Sequence, residues 1–155
     1  MAALGARCRV PATVNPRSVA FAHWSLLGQE PRYVALEERI VAAFERIGAL
    51  TLNTCVNYQI VSQPRFGEHV AWGDTGTVIW ANSVAGARSN FEGGPSALAA
   101  GLTGRTPRYG FHLEAKRRAT LAVRVDNGGA AIEERWKGAV VLAKHEAPGD
   151  LGDTG

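Results

Sequence analysis

At 155 residues, with 46% hydrophobic and 20% charged positions, the chain has the make-up of one soluble globular domain, for which disorder is not the default. The formal charge of +3 comes from scattered Arg and Lys whose densest cluster is Lys116, Arg117 and Arg118, so no basic stripe for nucleic acid is present. No run approaches the roughly 18 apolar residues that span a bilayer, and the N-terminus lacks a signal-peptide pattern, so a cytoplasmic location without a membrane or nucleic-acid partner is expected.

Residues 9 to 16, RVPATVNP, hold two prolines and end on an Asn-Pro step. They read as a loop feeding a helix from Ser18, its N-cap, to about Leu27. Pro31 opens a stronger helix to Ile47, with Tyr33, Leu36, Ile40, Phe44 and Ile47 on one stripe and Gly48 as its stop. Leu50 to Asn53 reads as a short buried strand, which leaves Cys55 at a strand exit in the loop Thr54 to Tyr58. A helix packed by small residues is expected between Thr75 and Ala87, and a second from Pro95 to Leu102 after Gly93 and Gly94. Residues 119 to 125 and 139 to 143 have strand patterns. The simplest architecture is mixed α/β.

The run from Gly67 to Leu113 is the unusual part of the chain, because its polar side chains are mostly short and hydrogen-bonding and its glycines come in pairs. Such a run suits the lining of a site. Within it, GARSNFEGGPS supplies a guanidinium at Arg88, hydroxyl and amide groups at Ser89, Asn90 and Ser96, a carboxylate at Glu92, and two glycines that allow close backbone approach. The free N–H groups after Gly94 would favour an anion. The same side chains could equally satisfy their own backbone.

Glu68, His69 and Asp74 could form an acid/base set or a solvated loop. His112, after Phe111, is most simply a core histidine, and Asp126 ends a strand where a turn former is also common. Cys8 and Cys55 show no CxxC and no paired framework, so each reads first as a lone thiol.

Taken in order, GARCRVPATVN, TCVNY, GEHVAWGDTGTVIWANS and GARSNFEGGPSALAAGLTGRTPRYGFHL resemble the aconitase X family. These are relatives of aconitase that include cis-3-hydroxy-L-proline dehydratases and the large subunit of archaeal phosphomevalonate dehydratase. The resemblance runs from about Ala3 to Asp126. It implies an aconitase-like α/β fold in a mixed three-layer arrangement. The activity it implies is that of a hydro-lyase, a dehydratase removing water from a small hydroxy acid beside an iron–sulfur cluster. In the matching blocks Cys55 falls on a cluster cysteine, and Thr13, Asn15, Ser83, Arg88, Ser89 and Asn90 fall on substrate-facing positions. No catalytic base is assigned by the match.

Three departures qualify that picture. Ala12 stands where the family usually has threonine, and WGDTGTV is nearer the hydroxyproline branch, which makes cis-3-hydroxy-L-proline the expected substrate and mevalonate 5-phosphate the alternative. The family is also much longer. Residues 1–145 are therefore expected to be part of a catalytic domain and 146–155 a flexible tail or truncated continuation. Further cluster cysteines, the base, and a swivelling domain or small-subunit polypeptide would lie outside this chain, and Cys55 alone would not complete a cluster. The non-enzymatic alternatives are an inactive remnant and a small-anion binding module.

Overall fold

The computed structural model describes residues 1–119. Three helices organise them: α1, Pro31–Arg46; α2, Thr75–Ser83; and α3, Gly94–Thr103. Single 3-10 turns occupy Ala2–Leu4, Asn57–Gln59, Gly110–His112 and Glu114–Lys116.

The first helix starts where proline fixes φ and has no N–H to lose, and it ends before Gly48 at φ 85°. Its apolar stripe is not a core stripe throughout. Ile47, just past its end, is buried, while Tyr33, Leu36 and Ile40 remain 49%, 48% and 40% exposed. The second helix buries Thr77, Val78 and Ala81. In α3 the buried Ala100 and Gly101 form the inner face. A Cβ on Gly101 would stand 3.4 Å from the Ala12 methyl and 3.7 Å from Cys8 Sγ, so this helix packs tightly on the 8–12 loop.

Each of the first two helices returns the chain parallel to where it started. Around α1, Val14 N–H donates to Leu50 O and Leu50 N–H to Ala12 O, which gives a parallel bridge between Thr13 and Leu50. Around α2, residues 67–72 and 86–92 run alongside one another. There Arg88 N–H donates to Glu68 O, Val70 N–H to Arg88 O, and Glu92 N–H to Trp72 O, with a parallel bridge between His69 and Arg88. These pairings stay isolated bridges, and among the described residues no longer strand forms.

Several expectations are corrected here. Residues 18 to 27 do not form a helix. They make a series of turns closed by Gln29, whose amide accepts from Ala20 N–H and donates to Ser18 O, while the Ser18 hydroxyl bonds Glu37 instead of capping. The strand at 50 to 53 shrinks to its first residue. Leu52 N–H turns back to Leu50 O, and Asn53 adopts φ 55° with its amide on Thr51 O, so local bonds replace the ladder. The helix expected to reach Ala87 stops at Ser83, because 86–92 is needed for pairing with 67–72. The expected strands at 119 to 125 and 139 to 143, together with Asp126 and the 146–155 tail, lie outside the described residues apart from Ala119.

Candidate functional site

Cys55 sits in the turn between the Thr13–Leu50 bridge and the Asn57–Gln59 turn, half-buried and with a free thiol. Two contacts tie this loop down. Asn57, buried, donates through Nδ2 to Thr13 Oγ1 at 3.0 Å. Thr77, buried in the first turn of α2, donates through Oγ1 to the Cys55 carbonyl at 2.7 Å and lies 3.3 Å from Asp74 Oδ2. Both join the loop to sequence far away.

Tyr58 closes the same corner. It is 3% exposed, stacks on Trp80 with ring centroids 4.7 Å apart, and meets Trp72 at 6.4 Å. Burial raises its phenol pKa above the usual tyrosine value, and the negative charges available to Cys55 and Asp74 raise it further. Tyr58 therefore keeps its phenol proton at neutral pH.

Four of the six expected substrate-facing residues lie in four separate places. Thr13 belongs to the Cys55 corner through Asn57. Asn15 is exposed and lines a groove of about 240 Å³ with Arg17, Glu37, Phe44 and Asn53. Ser83 is exposed and lines a cleft of about 260 Å³ between Val78, Asn82, Phe91, Phe111 and Arg117. Arg88 donates through one guanidinium nitrogen to His112 O at 3.1 Å and is ion-paired through another with the exposed Glu114.

Ser89 and Asn90 are committed to the chain itself. Ser89 is fully buried; its hydroxyl accepts from Trp72 N–H at 3.1 Å and donates to Asn90 O at 2.8 Å. Asn90, 6% exposed, accepts from Phe111 N–H at 2.8 Å and donates to Tyr109 O at 3.2 Å. Both are pins between segments. The proposed Glu68, His69 and Asp74 set also separates, with Glu68 accepting from Arg65 N–H, Asp74 at Thr77, and His69 at His112.

Residues that local reading left out hold these places together. Asn82 donates to Val78 O and Ser89 O, each at 2.9 Å, and accepts from Arg117 at 2.7 Å. Arg117 reaches on to Phe111 O at 3.2 Å. Nothing in the neighbourhood of Thr77, Asn82 or Arg117 in the sequence signals these partners, which lie 22 or 35 residues away for the two longest links.

A profile of the aconitase X first domain matches residues 1–115. The chain belongs to the aconitase X family. The crystal structure of Thermococcus kodakaraensis aconitase X in its holo-form superposes with a TM-score of 0.66 at 36% identity, covering 75% of this chain and 28% of that one. This likeness makes the fold aconitase-like. The phosphomevalonate dehydratase large subunit of Methanothermobacter thermautotrophicus is 44% identical over 124 residues, 80% of this chain and 31% of that protein. The cis-3-hydroxy-L-proline dehydratase of Pseudomonas aeruginosa is 35% identical over 127 residues, 82% of this chain and 22% of that protein. The aconitase X chain described here thus spans about a third or less of the curated relatives it matches.

A cluster needs several thiolates. Among the described residues Cys55 is the one thiol at this corner, and no group of three or more His, Cys, Asp or Glu is placed to hold a metal ion. The described residues do not by themselves fit an iron–sulfur cluster. At this corner they offer one thiol, on a loop fixed from both sides.

Proposed function

We propose that this chain is the first part of a hydro-lyase of the aconitase X type, dehydrating a small hydroxy acid. The observation that carries the reading is the fixed Cys55 corner, where Thr77 ties the Cys55 carbonyl to Asp74, Asn57 ties the loop to Thr13, and the buried Tyr58 feels the charge of Cys55 and Asp74. Elimination of water needs a group to protonate the departing hydroxyl and donors to hold the acid's carboxylate. Tyr58 and Thr13 are this chain's candidates for contact with the hydroxyl, and Arg88 for the carboxylate. Arg88 can exchange its partner readily, because Glu114 is 80% exposed and such a pair contributes little to stability. Cys55 would be one ligand of an iron–sulfur cluster whose other ligands come from outside the described residues.

In this reading residues 1–145 are a portion of the catalytic domain, 146–155 a tail or continuation, and a small-subunit or swivelling-domain polypeptide is the partner. Two substrates have support. The WGDTGTV form favours cis-3-hydroxy-L-proline, whereas the 44% identity to a phosphomevalonate dehydratase large subunit, against 35% to the hydroxyproline enzyme, favours mevalonate 5-phosphate.

The test is anaerobic purification with iron and sulfide, with and without an aconitase X small-subunit chain, followed by iron content, visible absorption and assay of both substrates. Turnover of either one supports the reading and selects the substrate. Protein that stays colourless and inactive with the partner present would leave the inactive-remnant reading standing instead.

A further inference from the structure

Two buried side-chain atoms among the described residues have no hydrogen-bond partner: Glu92 Oε1 and His112 Nε2. The residues are 7% and 5% exposed. Buried polar atoms are almost always bonded to protein or to ordered water, because stripping them of solvent without replacement is costly. The two also feel each other's charge. Burial, then His69, Arg88 and Arg117, hold the His112 imidazole below its usual pKa, while Glu92 pulls the other way.

On its other edge His112 is engaged. Its Nδ1 lies 2.8 Å from Nδ1 of His69, with the rings 16° from parallel. Two ring nitrogens at that separation share one proton, one donating and the other accepting. His69 itself is exposed. An exposed imidazole is thus joined directly to a buried neutral one whose Nε2 has no partner, and the buried Glu92, whose charge His112 feels, carries an oxygen with no partner.

We propose that His69, His112 and Glu92 form a proton relay from solvent into the wall of the site, with an internal water joining His112 Nε2 to Glu92 Oε1. At rest His69 donates from Nδ1 to His112 Nδ1, His112 donates from Nε2 to the water oxygen, and the water donates to the Glu92 carboxylate. When His69 takes a proton at Nε2, its Nδ1 proton passes to His112 Nδ1. His112 gives its Nε2 proton to the water, and the water gives one of its own to Glu92. One proton has moved from solvent to the carboxylate, both imidazoles have changed tautomer and end neutral, and the water is restored.

The charged groups that face His112 fit this assignment. Arg88 and Arg117 disfavour an imidazolium, Glu114 is occupied by Arg88, and Glu92 is the remaining acceptor. The Glu92 backbone is anchored against the segment that leads to the Cys55 corner. Its N–H donates to Trp72 O, and its carbonyl leaves no room for a Cβ on Gly73, which precedes Asp74 in the Cys55 corner. The relay does not depend on the dehydratase reading, and its test is spectroscopic.

The experiment uses the full chain labelled with 15N at histidine, and a crystal diffracting well enough to place ordered water. The expected results are a water within about 2.6–3.2 Å of both atoms and a neutral Nε2–H tautomer of His112 at neutral pH. His69→Gln should slow exchange of the His112 Nε2 proton at least about tenfold, and Glu92→Gln should shift the His112 tautomer balance. A cluster that holds its protons without passing them would leave the His112 Nε2 exchange rate unchanged in His69→Gln. No water at the two atoms, or exchange and tautomer insensitive to both variants, overturns the proposal.

Discussion

Thr77 Oγ1 and the Cys55 carbonyl are 2.7 Å apart, so a residue in the first turn of α2 fixes the backbone of a thiol that lies 22 positions before it. The thiol's own side chain is left free. Position and reactivity are thereby handled by different residues.

Replacing Thr77 with Val keeps the volume and removes the donor, leaving the Cys55 carbonyl short of its partner. The expected loss is about 1–3 kcal/mol of unfolding free energy, read as a lower midpoint in urea with an unchanged slope. Thr77→Ser should recover most of it. A Val variant as stable as the parent would show that the bond does not form.

Gly110 stands at φ 57°, and a Cβ there would come within 2.2 Å of Asn90 Oδ1. Gly110→Ala should therefore cost more than the roughly 1 kcal/mol of left-handed backbone strain alone. Asn90→Ala removes the obstructing amide. The two changes are expected to be non-additive in a double-mutant cycle, with Gly110→Ala milder in the Asn90→Ala background.

Stability should depend on pH at both ends. His112 has a folded pKa below 6.5, so between 6.5 and that lower value the unfolded chain binds a proton that the folded chain does not. Its contribution is complete above about 6.5 and is lost as pH falls toward the folded value. Tyr58, raised above 10, is the mirror case: its contribution is complete below about 10 and is lost as pH rises past that point. Thermal melts across pH should show both shoulders, with His112→Gln flattening the acidic one.

Cys55→Ser should abolish iron retained by the chain and its partner while leaving far-UV circular dichroism unchanged, since the thiol makes no structural bond. Cys8→Ser should keep the iron. Equal iron loss in both variants would remove Cys55 from its proposed role.

Helix α1 was legible because every cue agreed: proline at the start, a stripe at three- and four-residue spacing, and glycine after the end. The turns at 18 to 29 were not, since the side chain that decides them, Gln29, acts on Ser18 and Ala20 from beyond the segment. The same limit applies at the site. Short polar residues mark the 67–113 run as unusual, but Ser89 and Asn90 accept from the N–H groups of Trp72 and Phe111 and donate to backbone carbonyls of Asn90 and Tyr109. A ligand and a distant part of the chain ask for the same kinds of side chain, and the sequence alone does not distinguish the two uses. Asn82 and Arg117 were missed because their partners are far along the chain.

The two parallel pairings differ in how much chain each must gather. His69 and Arg88 are 19 residues apart, whereas Thr13 and Leu50 are 37 apart. Closing the longer loop costs about 0.6 kcal/mol more in chain entropy, and local contacts form sooner than distant ones. Assembly should therefore begin around α2, with the N-terminal residues joining afterwards. Cys55 lies between the two units, so its loop acquires its final shape only when the slower one has arrived.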